Sequence, residues 1–288
     1  MKKALVTGAT GFLGEHVLLV KPEGWEIEVF ARESSDLRRL PPGIRVHTGD
    51  LGDAETLGRA MEGADALINI ASLGFGHARG IIDACRAANV PRAVFVGTTA
   101  VFTTLPAKSK AVRLEAEAIL ESSGLDYTLL RPTMIYGTPR DRNIWRLIRF
   151  ARWAPFVPLL EGGVNLQQPV FVEDVARACW AVLDRPHTVG RAFNIAGAEP
   201  VSFSDMVKLI LNSLNRRAPL ISLSLGAVMA AVKAAQFIPF APRITPEQVL
   251  RLKEDKRFDN GPAAEAFGYS PLSFAQGLER ELQWLSRS

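Results

Sequence analysis

The chain has 288 residues, 48 % apolar and 22 % charged, enough for one large α/β domain or a nucleotide domain with a smaller lobe. A formal charge of +4, with basic residues spread along the chain, argues against a nucleic-acid stripe and favours anionic small molecules. Cys85 and Cys179 stand alone without metal-ligand spacing, which excludes a disulfide framework, gives no metal site, and suits a reducing, cytoplasmic compartment.

In chain order, Met1-Lys2-Lys3 and Ala4-Leu5-Val6 begin like a signal peptide, but Thr7-Gly8 breaks the apolar run too early. Short β-branched runs predict strands over 4–7, 26–30, 45–48, 66–70, 93–97, 127–130, 170–172 and 193–195. Between them, helical periodicity covers 12–20, 54–61, 76–88, 112–122, 175–183 and 203–214. Asp53 and Ser204 stand at N-cap positions, and Gly124 lies just past a helix end. This alternation predicts an α/β fold, a doubly wound parallel sheet with crossover helices.

From Ile135 the texture changes, with prolines, Gly162-Gly163 and an Arg/Trp-rich helix leaving the sheet. Residues 169–196 return to it. The expected division is a nucleotide domain of 1–134 and 169–197, with a discontinuous substrate lobe of 135–168 and 198–288. The run 220–241 is strongly apolar, but Lys233 and Pro239 interrupt it. A central lysine is costly in a bilayer, so a buried helix of the second lobe is expected over a membrane span.

The first strand leads into Gly8-Ala9-Thr10-Gly11-Phe12-Leu13-Gly14 and then a helix. Glycines let the backbone approach a pyrophosphate, and a helix N-terminus offers free N–H groups and partial positive charge. Strand before and helix after make this a dinucleotide site of Rossmann type. The second strand ends in Ala31-Arg32-Glu33-Ser34-Ser35. Arg32 stands where a ribose 2′-phosphate would lie, so NADP(H) is the expected cofactor; Glu33 keeps NAD(H) as second choice.

Over its whole length the chain resembles the extended and atypical short-chain dehydrogenase/reductases, the epimerase/dehydratase-like group. The resemblance rests on the Gly8–Gly14 turn, Gly49-Asp50-Leu51, Asn69-Ile70-Ala71-Ser72, Arg131-Pro132-Thr133-Met134-Ile135-Tyr136-Gly137 and Pro169-Val170-Phe171-Val172-Glu173-Asp174-Val175. It implies that Asp50 and Leu51 contact adenine, that Ala71 and Ser72 line the cofactor cleft, and that Pro132 lies beside the nicotinamide.

The family's chemistry uses a Ser or Thr, a Tyr, and a Lys four residues after the Tyr, the cation favouring the phenolate. Thr98 matches the first. The only tyrosines are Tyr127, Tyr136 and Tyr269, and none has a lysine at that offset. Counting back from Ser123-Gly124 places Ser109 at the Tyr position, Arg113 at the Lys position and Glu117 one turn on. This is the pattern of the atypical branch, which includes relatives of the NADPH-binding accessory subunit of complex I. Members similar to isoflavone reductases use a lysine instead, a role open to Lys108 or Lys110. The sugar-nucleotide arginine is replaced by Gln168, and a neutral amide cannot grip a diphosphate as a guanidinium does.

The segment from Arg140 to Trp153 is basic, with Ile144, Leu147 and Ile148 on one helical face and Arg142, Arg146 and Arg149 around the other. Its readings are an anionic-substrate clamp, an interfacial membrane helix, or a packed helix with solvated arginines. Tyr136, Arg140, Arg131 and Gln168 are the candidate substrate contacts. The chain is thus expected to be an NADP(H)-dependent oxidoreductase or epimerase/dehydratase relative, a monomer or homodimer. It would act on a small non-nucleotide substrate without binding nucleic acid. The rival is a non-catalytic NADP(H)-binding redox sensor or scaffold.

Overall fold

The computed structural model describes residues 1–105, 108–235 and 245–285. β1 (Lys2–Thr7) runs through Ala4, Leu5 and Val6, all buried, because a parallel strand covered on both faces must be apolar without alternation. β2 (Trp25–Ala31), β3 (Arg45–Thr48), β4 (Ala66–Asn69), β5 (Ala93–Val96) and β6 (Tyr127–Pro132) follow, each after a crossover. α1 (Phe12–Leu19), α2 (Ala54–Ala60), α3 (Ala78–Ala87) and α4 (Lys108–Glu121) supply the helical connections.

With β11 (Arg191–Ile195) these strands form one parallel sheet, ordered β11-β6-β5-β4-β1-β2-β3. The chain winds outward from β1 and then crosses back to β4, so the carboxyl ends of β1 and β4 flank the switch point where such sheets bind ligands. Period-2 alternation sorts the core. Val6, Val29, Ile68 and Val94 face α1 and α6 (Val172–Ala181), while Leu5, Phe30, Leu67 and Phe95 face α2, α3 and α4. The two cysteines are buried, one in each layer, where desolvation pushes both thiols up to about 12.

A third cluster gathers Tyr136, Ile148, Val157, Met206, Ile210 and Phe274. It joins β7 (Ile135–Tyr136), α5 (Ile144–Trp153), β8 (Val157–Leu160), α7 (Phe203–Ser213) and α11 (Phe274–Leu282). Small ribbons complete it. β10 (Val170–Phe171) pairs with β7, β9 (Leu166–Gln167) with β12 (Val201–Ser202), and β8 with β13 (Leu220–Leu223). α8 (Leu225–Ala235), α9 (Pro246–Arg251) and α10 (Gly261–Phe267) lie between β13 and α11.

Several expectations shift. β10 pairs outside the main sheet instead of returning to it, and only β11 rejoins. Ser202 caps α7, its hydroxyl accepting from the Asp205 N–H, while Ser204 lies two residues on, in the first turn. α4 starts at Lys108 and not at 112, which puts Ser109, Lys110 and Arg113 on one helix. Within 220–241, the described helix spans only 11 residues and is largely exposed, with Val232 buried; 236–241 lies outside the described residues. Among the described residues, no helix is long and apolar enough to cross a membrane.

Candidate cofactor and substrate cleft

The glycine turn is built by backbone alone. Gly8 has φ +71 and its carbonyl accepts from the Gly11 N–H at 3.0 Å. A Cβ on Gly14 would lie 2.3 Å from that carbonyl, and one on Gly8 2.9 Å from the Ala71 nitrogen, so neither position admits a side chain. Gly11 is the N-cap of α1 and brings no side chain to satisfy the first N–H groups, which leaves them for an anion. This arrangement fits a pyrophosphate.

The adjoining strand ends are locked by a buried relay. Thr7 Oγ1 donates to Asn69 Oδ1 at 2.7 Å, Asn69 Nδ2 donates to the Ala71 carbonyl, and the Ala71 N–H reaches Thr7 Oγ1. Ser72 Oγ accepts from the Gly74 N–H and holds the next turn. At the end of β2, Arg32 is exposed, and its guanidinium has no partner among the described residues. Asp50 is exposed and accepts from the Gly52 N–H, while Leu51 packs half-buried beside it.

Beyond the turn, a cavity of about 260 Å³ opens over the carboxyl ends of β4, β5 and β6. Leu13, Ile70, Val96, Pro132 and Ile135 make its apolar walls; Ser72, Thr98, Thr133, Arg113 and Glu117 are its polar members. Thr98 Oγ1 accepts from the Ala100 N–H and so keeps its own proton to give. Arg113 reaches the Ser109 hydroxyl at 3.4 Å, and desolvation lowers its pKa from the ordinary arginine value. Under the cleft, Arg131 grips Glu117 with Nε at 3.0 Å and Nη2 at 2.6 Å, and stacks over Phe102.

Sequence position misplaces several candidates. Tyr136 is fully buried in the second lobe, its phenol donating to the Phe274 carbonyl, so it offers no substrate contact. Both ends of the buried Gln168 amide are used, Nε2 on the Gly197 carbonyl and Oε1 on the Phe258 N–H. Arg140 is held at the glycine turn, ion-paired with Glu15 and donating to the Thr10 carbonyl at 3.1 Å. Arg131 is spent on Glu117. Lys110 Nζ donates to the Thr103 carbonyl at 2.5 Å, and the Lys108 side chain lies outside the described residues.

The other two tyrosines are equally withdrawn: Tyr127 is buried at the start of β6, and Tyr269 donates to the Ala196 carbonyl. No phenol reaches the cleft. Sequence reading also missed Glu254, which accepts from the Thr103 and Thr104 hydroxyls and the Thr104 N–H, tying the loop after β5 to the C-terminal region. No local pattern signals a contact that spans about 150 residues.

Fold and turn together define a Rossmann-type dinucleotide-binding protein. Residues 8–186, more than half of the chain, match the family described as NAD(P)H-binding, and the chain belongs to it. Similar proteins include the mouse sterol-4-alpha-carboxylate 3-dehydrogenase, decarboxylating, 25 % identical over 98 % of this chain and 90 % of its own. The 2-alkyl-3-oxoalkanoate reductase of Shewanella oneidensis is 26 % identical over 96 % of this chain and 84 % of its own. In fold the chain is similar to a nucleoside-diphosphate-sugar epimerase of Pseudomonas aeruginosa, with TM-score 0.80, 19 % identity, and coverage of 99 % and 98 %. It is also similar to the dTDP-glucose 4,6-dehydratase of Bacillus anthracis solved with NAD, with TM-score 0.78, 18 % identity, and coverage of 100 % and 97 %. The relation to the epimerase/dehydratase-like short-chain dehydrogenase/reductases therefore holds.

Proposed function

We propose that the chain is an NADP(H)-dependent oxidoreductase acting on a small, non-nucleotide carbonyl compound, with Thr98 and Arg113 polarising the carbonyl in place of the usual tyrosine and lysine. The observation that carries this reading is the apolar-walled cavity beside Pro132, in which Thr98, Arg113 and Ser72 keep protons to donate to substrate, Thr98 at the family's Ser/Thr position and Arg113 as the cation. The free guanidinium of Arg32 supports the 2′-phosphate preference. When bound, the nicotinamide supplies or accepts the hydride. The chain's own part is to seat the pyrophosphate on Gly8, Gly11 and Gly14, contact the adenine through Asp50 and Leu51, and hold the substrate oxygen. Arg113 does not give up its proton, so the proton for the reduced oxygen comes through the Thr98 hydroxyl from water.

The absence of an arginine at Gln168, whose amide is consumed inside the protein, speaks against a nucleotide sugar. The relatives named for sterol-4-alpha-carboxylates and 2-alkyl-3-oxoalkanoates suggest a carbonyl near a carboxylate, which an arginine in an apolar cleft would suit. The lobe of 135–168 and 198–288 would close over it. Buried free cysteines support work in a reducing, cytoplasmic setting. Single-turnover NADPH oxidation against 3-oxo acids, aldehydes, ketones and enones tests the reading, and oxidation with at least one 3-oxo acid is expected. The burial of all three tyrosines favours a second reading, a non-catalytic NADP(H) sensor. Tight NADPH binding with no oxidation across the panel would decide for it.

A further inference from the structure

Two segments of the chain, 142–160 and 206–246, contain no aspartate or glutamate. Between them they hold nine of the 34 basic residues, against 30 acids in the whole chain, so the remainder is net acidic. The fold brings these segments together. β8 pairs with β13 in parallel, the Val157 N–H donates to the Pro219 carbonyl, and Arg216 Nη2 donates to the Ala154 carbonyl. Among the described residues, the arginines of α5 and those of 216–217, which look dispersed along the sequence, are thus brought to neighbouring elements of the second lobe.

This region also exposes apolar side chains. On α5, Arg146, Arg149, Phe150 and Trp153 follow the i, i+3, i+4, i+7 spacing of one exposed stripe. Trp153 is 76 % exposed and Phe150 48 %, and Arg152 stacks on the Trp153 ring. Phe156 follows, 43 % exposed. Pro158 and Ile221 are register partners on the β8–β13 ribbon, and both are exposed. Beside them a surface groove of about 520 Å³ is lined by Arg216 and Arg217, and by Lys208, which is ion-paired with Asp205 at 2.7 Å.

We infer that this face docks on an anionic lipid bilayer, the α5 stripe and the β8–β13 ribbon resting at the headgroup level. An anionic bilayer offers both things the face lacks: negative charge for its arginines and an apolar layer just below for Trp153, Phe156 and Ile221. A second copy of the chain would bring the same arginines face to face. A nucleic acid would meet the charge and could stack on Trp153 and Phe150, but it offers the aliphatic Ile221 and Pro158 no apolar layer to enter. The inference is independent of the oxidoreductase reading, and far-UV dichroism and thermal melting report folding without reference to the cofactor.

The experiment is co-sedimentation of the full chain with phosphatidylcholine vesicles, with and without phosphatidylserine, at low and physiological salt. Binding should require phosphatidylserine and weaken with salt. A triple variant Arg146→Gln, Arg149→Gln, Arg152→Gln should bind about a hundredfold more weakly, at roughly fivefold per cation near an anionic leaflet. A second variant, Trp153→Ser with Ile221→Ser, should also lose binding while melting like the parent. Four results would overturn the inference. They are no vesicle binding, undiminished binding by both folded variants, retention on polyuridylate RNA but not on vesicles, and a concentration-dependent dimer that Trp153→Ser abolishes.

Discussion

Arg131 of β6 and Glu117 of α4 meet as a two-pronged ion pair directly beneath the substrate cleft, with both carboxylate oxygens engaged at 2.6–3.2 Å. The pair fixes the helix that carries Arg113 against the strand that ends in Pro132.

Breaking this pair from one side should be costly. Glu117→Ala leaves the guanidinium in a largely buried setting without its counter-charge, and about 3–5 kcal/mol of stability should be lost. Replacing both partners, Glu117→Leu with Arg131→Met, should cost much less than the single change, because no charge is left stranded. Urea melts of the three proteins measure this. If the single and double variants are equally destabilised, the pair is not what holds α4.

The glycine turn separates folding from binding. Gly14→Ala places a Cβ 2.3 Å from the Gly8 carbonyl and inside van der Waals radii of Ala9, a backbone clash that should lower thermal stability strongly. Gly11 is exposed and has ordinary φ, its added Cβ meeting only the Gly8 carbonyl at 3.0 Å. Gly11→Val should therefore fold but fail to bind dinucleotide, because the branched side chain fills the phosphate approach. Undiminished NADPH binding by folded Gly11→Val would place the cofactor elsewhere.

Cofactor choice should rest on Arg32. Charge-assisted contacts to a 2′-phosphate are worth about 1.5–3 kcal/mol each, so NADPH should bind roughly ten- to a hundredfold more tightly than NADH. Arg32→Ala should remove most of that ratio while leaving NADH affinity unchanged. Fluorescence titration with both cofactors reads it directly. Equal affinities in the unaltered protein would sink the assignment.

What was legible in the sequence is what local pattern controls. The strand–glycine–helix unit and the strands of the main sheet follow from apolar runs and turn residues, and Asp53 caps α2 as its sequence context predicts, accepting from the Thr56 N–H. Placement across the fold was not legible. Tyr136 and Gln168 lie in segments that resemble substrate-contacting motifs, yet the second lobe packs over both. The Glu117–Arg131 and Thr103–Glu254 contacts join residues whose proximity only the topology creates. The charge distribution makes the same point: the arginines of α5 and of 216–217, scattered in sequence, lie on neighbouring elements once β8 pairs with β13.

Catalysis, if Arg113 and Thr98 perform it, should be indifferent to Lys110. That amine already donates to the Thr103 carbonyl, and Lys110→Met should leave turnover within a few-fold of the parent. Arg113→Met removes the cation beside the substrate oxygen and should cost about 10²–10³-fold in kcat. NADPH affinity should fall far less in both. Single-turnover rates with an active 3-oxo acid separate the two. A large loss in Lys110→Met with none in Arg113→Met would return the chemistry to a lysine.

The last prediction concerns pH. Glu281 of α11 is fully buried, and its carboxyl pKa is pushed up to about 10, first by burial and then by the neighbouring Asp141 carboxylate. Asp141 is held by the Asn143 and Trp145 N–H groups at the start of α5, so it is the Glu281 side that keeps the proton. Between the unfolded value near 4.5 and about 10, the native chain binds one proton more than the unfolded chain. Stability must then fall as pH rises through this window, by about 1.4 kcal/mol per pH unit from this group alone. Glu281→Gln keeps the shape and a neutral amide without the proton linkage. Its melting temperature should nearly match the parent at about pH 4.5 and exceed it by a margin that grows toward about pH 8. Thermal melts across that range, compared at each pH, measure the difference. A gap between the two proteins that stays constant with pH would show that Glu281 holds no proton in the folded state.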